Sequence, residues 1–251
     1  MFGSVLLIMS HNIFPDESEI HLLKEKYHPT GVVFWKSSED GTQTLVRYEG
    51  EVTESFTVDE VGVFIVKPLK HSRAGLFLDA KNLRERLKEN SKGDFLNLFS
   101  FTGSLSVSAL LGGASSVVNV DASQAALTWS KENHAINGVS ARHLREDVMT
   151  YVQRNSSTLF DCIIADPPSF GRFKNKVFSI KKDLRTLIRG CSNRLKPNGK
   201  FMLLYHTRDM PLDDINCHGE NAGLSVSELI TPDETVFPTK QGSSNIIVFK
   251  K

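Results

Sequence analysis

Three acids and one rigid turn supply the residue types from which chemistry could be built. Asp166-Pro167-Pro168-Ser169-Phe170 directly follows the apolar run Phe160 to Ala165, which reads as a buried strand. Two prolines at that point fix φ and stiffen the backbone, so nearby groups are held in place. The acid and the backbone carbonyls can accept hydrogen bonds from a nucleobase edge. Phe170 can stack on a base, as enzymes acting on extruded bases require. Asp121 ends a second apolar strand, Ser116 to Val120, about 18 residues after Gly103. An acid there suits the two hydroxyls of a ribose. Acids at strand ends are otherwise often helix caps, but Ser123 is available for that role. Asp147 follows a short strand, His143 to Arg145, and suits either an adenine amino group or a helix N-cap.

The turn Ser100 to Ser104 follows a short apolar strand, Phe95 to Phe99, and precedes an apolar helix, Leu105 to Leu111. Gly103 stands where the backbone must bend tightly or approach a ligand. The turn lacks the G-x-G-x-x-G pattern of pyrophosphate binding, which disfavours a dinucleotide site and a dehydrogenase. S-adenosylmethionine has no phosphate and needs close backbone approach without a three-glycine cradle. Its aminocarboxypropyl arm can lie against Asn97, Ser100, Thr102 and Gly103. Strand, turn, helix and strand ending in an acid make half of a nucleotide-binding α/β sheet.

The rest of the chain supplies the strands and helices that hold these groups in place. Residues 1–70 read as a small α+β unit, with strands at Val5–Met9, Gly31–Trp35, Gln43–Tyr48 and Gly62–Val66 and a helix at Asp16–Tyr27. Turn signals fall at 38–41 and 49–50. Trp35 beside a valine-rich strand reads as core rather than as a base-stacking surface. Residues 71–92 form a connection, with an extended apolar run at Gly75–Asp79 and a polar helix at Ala80–Glu89 that could cover a cofactor pocket. From 93 to 251 strands and helices alternate, the pattern of a mostly parallel sheet. Ser123 caps a helix to Gly138, Val148–Gln153 is helical, and a basic helix spans 178–195. Strands follow at Lys200–Tyr205, Ser225–Ile230 and Ser244–Lys250, the last two joined by a loop holding Phe237 and Pro238. That antiparallel ending marks a methyltransferase sheet rather than a dehydrogenase sheet.

Composition sets bounds. The 251 residues are 40% hydrophobic and 24% charged, ordinary for a soluble globular protein. Three cysteines without paired spacing argue against a disulfide framework or a metal site and suit a reducing cytosol. The apolar start, Val5–Met9, is too short to span a membrane and lacks a basic flank. The expectation is a cytoplasmic protein with no membrane or metal partner. Net charge is +1, but residues 172–200 hold ten Lys or Arg against Asp183 alone. Arg172, Lys174, Lys176, Lys181, Lys182 and Arg185 lead this block. It reads as a phosphate-contact surface, or as a solvated helix face.

Together these residues resemble the class I S-adenosylmethionine-dependent RNA methyltransferases, and within them the bacterial large-subunit (23S) ribosomal RNA methyltransferases of the I and K/L types. The likeness spans about residues 60–251. It rests on Gly75–Asp79, Leu96–Ser104, Gly112–Ala114, Asp121–Ser123, Asn133 with Asn137-Gly138, Glu146-Asp147 and Phe160–Phe170. It implies a Rossmann-like seven-stranded α/β sheet with an antiparallel last strand. It also implies S-adenosyl-L-methionine as cofactor, held by Phe99, Ser100, Phe101, Thr102 and Gly103, by Asp121, Ala122 and Ser123, and by Asp147 and Val148. Asp166, Pro167, Pro168 and Phe170 would hold the target base. The family usually continues Gln-Arg or His-Arg after the apolar run, whereas this chain has Ala80-Lys81. Lys81 could meet the cofactor carboxylate, but not in bidentate fashion. The separate N-terminal RNA-binding domain of the I type is not expected within these residues.

The methylated atom depends on the nucleophile. Pyrimidine carbon-5 needs a cysteine adduct, and no Cys lies in 166–170. Cys162 and Cys191 read as structural, and Cys217 falls in a loop. Guanine N7 carries a lone pair already, and an exocyclic amine needs only orientation, so catalysis is mainly in-line positioning. The expected substrate is a nitrogen of a ribosomal guanine, N7 first and adenine N6 second. His206 could assist as a base or be structural. A non-catalytic RNA-binding protein and a methyltransferase of small molecules or proteins stand as alternatives. Intact acids at 121, 147 and 166 speak against the first, and the basic block against the second.

Overall fold

The chain divides into two units, Met1–Phe77 and Leu78–Lys251. The computed structural model describes residues 1–10, 14–38, 42–174, 176–205, 210–231 and 245–251. Most of the turn at 38–41, His206, Phe237, Pro238 and Ser244 lie outside the described residues.

In the first unit, β1 (Val5–Ser10) pairs parallel with β2 (Gly31–Ser37), which pairs antiparallel with β3 (Gln43–Gly50). Helix α1 (Glu17–Tyr27) starts in a capping box, Asp16 accepting from the Glu19 N–H at 2.9 Å while Glu19 answers at the Asp16 N–H. It lays Ile20 and Leu23 on Leu6, Ile8, Val32 and Phe34 of the sheet. The other sheet face buries Val5, Val33 and Trp35. The Trp35 indole donates to the Pro68 carbonyl at 2.8 Å, so its ring is core. β4 (Phe56–Asp59), a strand absent from the sequence reading, forms a hairpin with β5 (Val63–Val66). The connection expected at 71–92 is divided between the units. Its apolar run is not extended to Asp79, since a 3₁₀ turn takes Leu78–Ala80.

The second unit continues with α2 (Lys81–Glu89), β6 (Gly93–Leu98), α3 (Ser104–Leu111), β7 (Ala114–Asp121), α4 (Gln124–Ile136), β8 (Arg142–Arg145), α5 (Val148–Gln153) and β9 (Phe160–Ala165). A short antiparallel hairpin follows, β10 (Phe170–Phe173) and β11 (Lys176–Ser179), then α6 (Ile180–Arg194), β12 (Leu195–Tyr205), α7 (Leu212–Glu220), β13 (Ser225–Ile230) and β14 (Asn245–Lys250). Seven strands lie in the order β13-β14-β12-β9-β6-β7-β8, parallel except for β14, which is antiparallel to both neighbours.

Successive side chains of a strand point to opposite faces. Leu96 and Leu98 join Ile163, Phe201 and Phe249 in a core with Tyr151 of α5, Leu187 of α6 and Ile215 of α7. Asn97 turns to the other face, toward α4. With both faces covered, the central strands are apolar runs rather than alternating ones. The chain runs outward from β6 to β8, then returns to start again at β9 on the other side of β6. That reversal opens a crevice at the carboxyl ends of β6 and β9, where ligands of such sheets sit. Among the described residues, no helix is long and apolar enough to cross a membrane.

Candidate active site

The turn after β6 has a costly backbone. Phe99, Phe101 and Gly103 have φ of 56°, 47° and 74°, and left-handed φ costs a non-glycine residue about 1–2 kcal/mol. Such outliers persist only where their surroundings fix them. Here the Ser100 N–H donates to the Val120 carbonyl at 3.2 Å and the Phe101 N–H to Asp121 Oδ2 at 2.8 Å. Asn133 donates to the Thr102 carbonyl at 2.9 Å. The Phe99 ring lies 5.1 Å from Phe178, and Phe101 is 6.3 Å from Trp129. Gly103 is required by its φ and by α4, since a Cβ there would stand 2.2 Å from Ser130 Oγ and 2.8 Å from His134 Cε1. Of the two reasons given above, tight bending is found, and close packing against α4 is a further one that the sequence did not suggest.

Asp121 binds that turn to the end of β7. Its Oδ1 accepts the Ser123 N–H at 2.8 Å while Oδ2 holds Phe101, which leaves the carboxylate with acceptor capacity to spare. Burial pushes its carboxyl above the usual carboxylate range, opposed by N–H donors from Ser123, Phe101 and Ala122. Ser123 caps α4 by accepting from the Ala126 N–H at 3.2 Å, so Asp121 is not needed as a cap. The Glu146 N–H donates to the Asp121 carbonyl at 3.1 Å, which draws the end of β8 alongside. Asp147 is the N-cap of α5, with Oδ1 accepting from the Thr150 N–H and hydroxyl at 2.9 and 2.6 Å. Oδ2 is outside this cap, so capping and adenine contact are compatible. Val148 is a core side chain and offers the crevice little beyond backbone.

Across the crevice, the Asp166 N–H meets the Leu98 carbonyl at 3.4 Å. This contact joins the segment after β9 to the end of β6. Pro167 is buried, while Pro168 and Ser169 are exposed. Phe170 opens the hairpin with 59% of its surface exposed, an aromatic face that no core packing explains.

Two buried side-chain atoms at the turn, Asn97 Oδ1 and Ser100 Oγ, have no hydrogen-bond partner. Buried polar atoms are normally paired. An acceptor and a hydroxyl left over at this spot fit the ammonium and carboxylate of an amino-acid arm. Behind them runs a chain that sequence reasoning did not single out. Asn97 donates to Asn119 Oδ1 at 3.1 Å, and Asn119 lies 3.4 Å from His143 Nε2. Ser130 Oγ lies 2.9 Å from the same nitrogen, and His143 packs edge-on against His134 with centroids 5.0 Å apart. The available signal was Ser130 and His134 at i,i+4 on a helix face that also carries buried Ala126 and Trp129.

Burial, followed by the charge of His134, pushes His143 down to about 4, and burial lowers His134 too. The folded chain therefore favours neutral imidazoles, and the unfolded chain binds more protons in acid. Stability from this chain of contacts is complete above pH 6.5 and is lost as pH falls toward about 4. The melting temperature should fall across that window in the wild type and less steeply in His143→Asn. Equal slopes would contradict the coupling.

The remaining residues divide. Lys81 Nζ lies 3.6 Å from Glu85, and no contact described joins it to the turn or to Asp121. Gly112 abuts the Leu87 and Lys88 carbonyls, so the C-terminal ends of α2 and α3 meet, leaving Lys81 and Ser104 at the other end of the pair. The basic block is not one surface. Arg172, Lys174 and Lys176 belong to the hairpin, and Lys181, Lys182 and Arg185 are exposed on α6. Lys176 reaches Thr150 Oγ1 at 2.5 Å and lies 3.7 Å from Asp147 Oδ1. Arg194 is buried, and Lys196 is taken by Asp161 at 2.8 Å and Asp94 at 3.0 Å. The helix expected from 178 starts at Ile180, because Lys176–Ser179 pairs as a strand. Cys162 and Cys191 are buried in strand and helix, and burial pushes the Cys162 thiol up to about 12 and Cys191 higher still. Cys217 lies on α7, not in a loop. His206 lies outside the described residues. Among the described residues, no group of three or more His, Cys, Asp or Glu is placed to hold a metal ion.

Comparison with known proteins bears on this crevice. Residues 20–215 match the S-adenosylmethionine-dependent methyltransferase family. The ribosomal RNA large subunit methyltransferase K of Neisseria meningitidis serogroup B is 38% identical over 182 residues, 68% of this chain and 51% of that protein. The K/L methyltransferase of Dichelobacter nodosus is 33% identical over 219 residues, 85% of this chain and 28% of that one. The chain thus spans about half, or less, of the length of these curated relatives. The solved structure of SMU.776 with SAH superposes with a TM-score of 0.85 at 24% identity, covering all of this chain and 70% of that one. The M. jannaschii tRNA m1G37 methyltransferase gives a TM-score of 0.67 at 16% identity, covering 100% of this chain and 73% of that one. At such identities the structures attest the fold. The family match covers most of the chain, including the turn, Asp121, Asp147 and the Asp166 segment, and so the chain belongs to the S-adenosylmethionine-dependent methyltransferases.

Proposed function

We propose that the chain methylates a nitrogen of an RNA base, in large-subunit ribosomal RNA, with guanine N7 the preferred atom. The observation that carries this reading is the exposed Phe170, four residues after Asp166, whose N–H meets the Leu98 carbonyl at the end of β6. When bound, S-adenosylmethionine supplies an electrophilic methyl group on a positively charged sulfur. Asn97 and Ser100 would take the polar ends of its amino-acid arm, with Phe99, Phe101, Thr102 and Gly103 shaping the bed. Asp121 would accept from the ribose hydroxyls, aided by Ala122 and Ser123, and Asp147 with the backbone of Val148 would meet the adenine. Lys81 would approach the arm's carboxylate from the N-terminus of α2.

On the substrate side, Phe170 stacks on the extruded base and Asp166 accepts from its edge, while Pro167 and Pro168 keep both fixed. A guanine edge offers two adjacent N–H donors to a carboxylate, and N7 needs no deprotonation before attack. The buried cysteines, with thiols raised far from thiolate, favour nitrogen over pyrimidine carbon-5. The names of the relatives support ribosomal RNA as substrate, and with it work in the cytoplasm on RNA or an assembling particle.

Nucleoside analysis of RNA methylated by the enzyme tests the atom. The reading expects 7-methylguanosine, and a 5-methylpyrimidine would refute it. Arg172, Lys174, Lys176, Lys181, Lys182 and Arg185 would meet phosphates flanking the base. Reversing charge at Lys181, Lys182 and Arg185 together should weaken RNA binding and reduce the salt slope by about two to three. An unchanged slope in filter binding would reduce α6 to a solvated face.

A further inference from the structure

The basic face of α6 leads to a second feature, away from the strand ends. A cleft of about 840 Å³ opens where the end of α5 meets the C-terminal half of α6. Its walls carry Arg154, Arg189 and Arg194 together with Ser156, Thr186 and Asn193, and no carboxylate. Arg194 is only 3% exposed, and it donates to the carbonyls of Tyr151 at 2.8 Å and Arg154 at 3.1 Å. Its guanidinium lies 4.8 Å from the Tyr151 ring centroid, and Arg154 lies 5.3 Å from the same centroid. Arg154 pairs with Glu146. Among the described residues, neither Arg189 nor Arg194 has a carboxylate within ion-pair distance.

Burying a guanidinium is costly unless an opposite charge answers it. The two carbonyls take Nη2 of Arg194, no carboxylate among the described residues answers its charge, and Arg189 adds a second charge at the rim. Hydroxyl and amide groups beside them complete a set of donors. The guanidinium fork matches phosphate oxygens in bidentate fashion. A route leads in as well. Lys181, Arg185 and Arg189 recur every four residues on the exposed side of α6, rising ~6 Å per step. They run from the end of the β10–β11 hairpin, next to Phe170, toward the cleft.

We propose that this cleft is a phosphodiester-binding subsite, which holds the backbone of the RNA strand a few nucleotides from the target base. It rests on the RNA reading given above and adds to it a fixed anchoring point, with Arg189 and Arg194 as the phosphate ligands. Positioning phosphates this way sets the register of a strand without reading its sequence.

Arg189 is exposed, so its substitution tests the site without opening the core. Filter binding of a ribosomal RNA fragment over a salt series should give a slope smaller by about 0.7–0.9 for Arg189→Ala, restored in Arg189→Lys. Arg189→Glu should bind about tenfold more weakly near 0.1 M salt. S-adenosylmethionine affinity serves as the folding control and should be unchanged. Unaltered slopes in Arg189→Ala and Arg189→Glu, with wild-type protein still binding and methylating RNA, would overturn the subsite alone. Absence of salt-dependent RNA binding by the wild type would overturn both the subsite and the RNA reading. A parallel titration with inorganic phosphate separates the source of the ligand. Protection of wild type but not Arg189→Ala, with RNA slopes unaltered, would make it a site for free phosphate and refute the assignment.

Discussion

Asp166→Ala should lower the single-turnover rate of methyl transfer by about 10²–10³-fold while leaving S-adenosylmethionine affinity within about twofold. The split follows from the geometry. The Asp166 backbone N–H contacts the Leu98 carbonyl, and the substitution leaves that link between β9 and β6 intact. The side chain, by contrast, is the part that the proposed function assigns to the base, four residues before the exposed Phe170. Loss of an acceptor there misaligns the nucleophile, and misplacement near 1 Å costs about 100-fold in an in-line reaction. Asp166→Asn keeps one acceptor and should fall between wild type and alanine. Retained turnover in Asp166→Ala would remove the residue from the chemistry.

Asp121→Ala should weaken S-adenosylmethionine binding by about 10–100-fold, the scale of a hydrogen bond to a charged group. Two losses combine in this variant. On the proposed assignment the ribose loses its acceptor, and the Phe101 N–H loses the carboxylate that holds it at a φ of 47°. A fall in melting temperature should accompany the loss of affinity, with Asp121→Asn milder in both. Burial raises the Asp121 carboxyl above its ordinary range, so affinity that depends on the carboxylate should begin to fail earlier on acidification than for an exposed acid. Calorimetry at neutral and acid pH measures both effects. Unchanged affinity in Asp121→Ala would take the residue away from the ribose.

The sheet and the crevice were largely legible in the residues. Central strands buried on both faces are written as apolar runs, and glycine, acid and proline signals punctuate them where the chain must turn. Asp121 and the Asp166 segment stood out because polar groups directly after such runs fall at strand ends. The closing pair of strands could be read because β14 is the apolar run that lies between β12 and β13.

What escaped has physical causes. Helix α7 buries only Ile215 and Gly219, so it carries no apolar stripe to betray it. β10 and β11 are four residues each, and they pair with one another rather than with the sheet, so their basic residues read as an extension of α6. The charge of residues 172–200 overstated the exposed surface. A helix points its side chains all round, and Arg194 turns inward to carbonyls while Lys196 serves Asp94 and Asp161. The chain from Asn97 to His143 was invisible because its links depend on strand register and on α4 lying over β7 and β8, not on spacing in sequence.

The most direct test is transfer of tritium from labelled S-adenosylmethionine to total ribosomal RNA taken from a strain lacking the gene. The account predicts counts in large-subunit RNA with wild-type enzyme and none with Asp166→Ala. Measurable cofactor binding without counts in RNA would contradict it and turn the search to a protein or small-molecule acceptor.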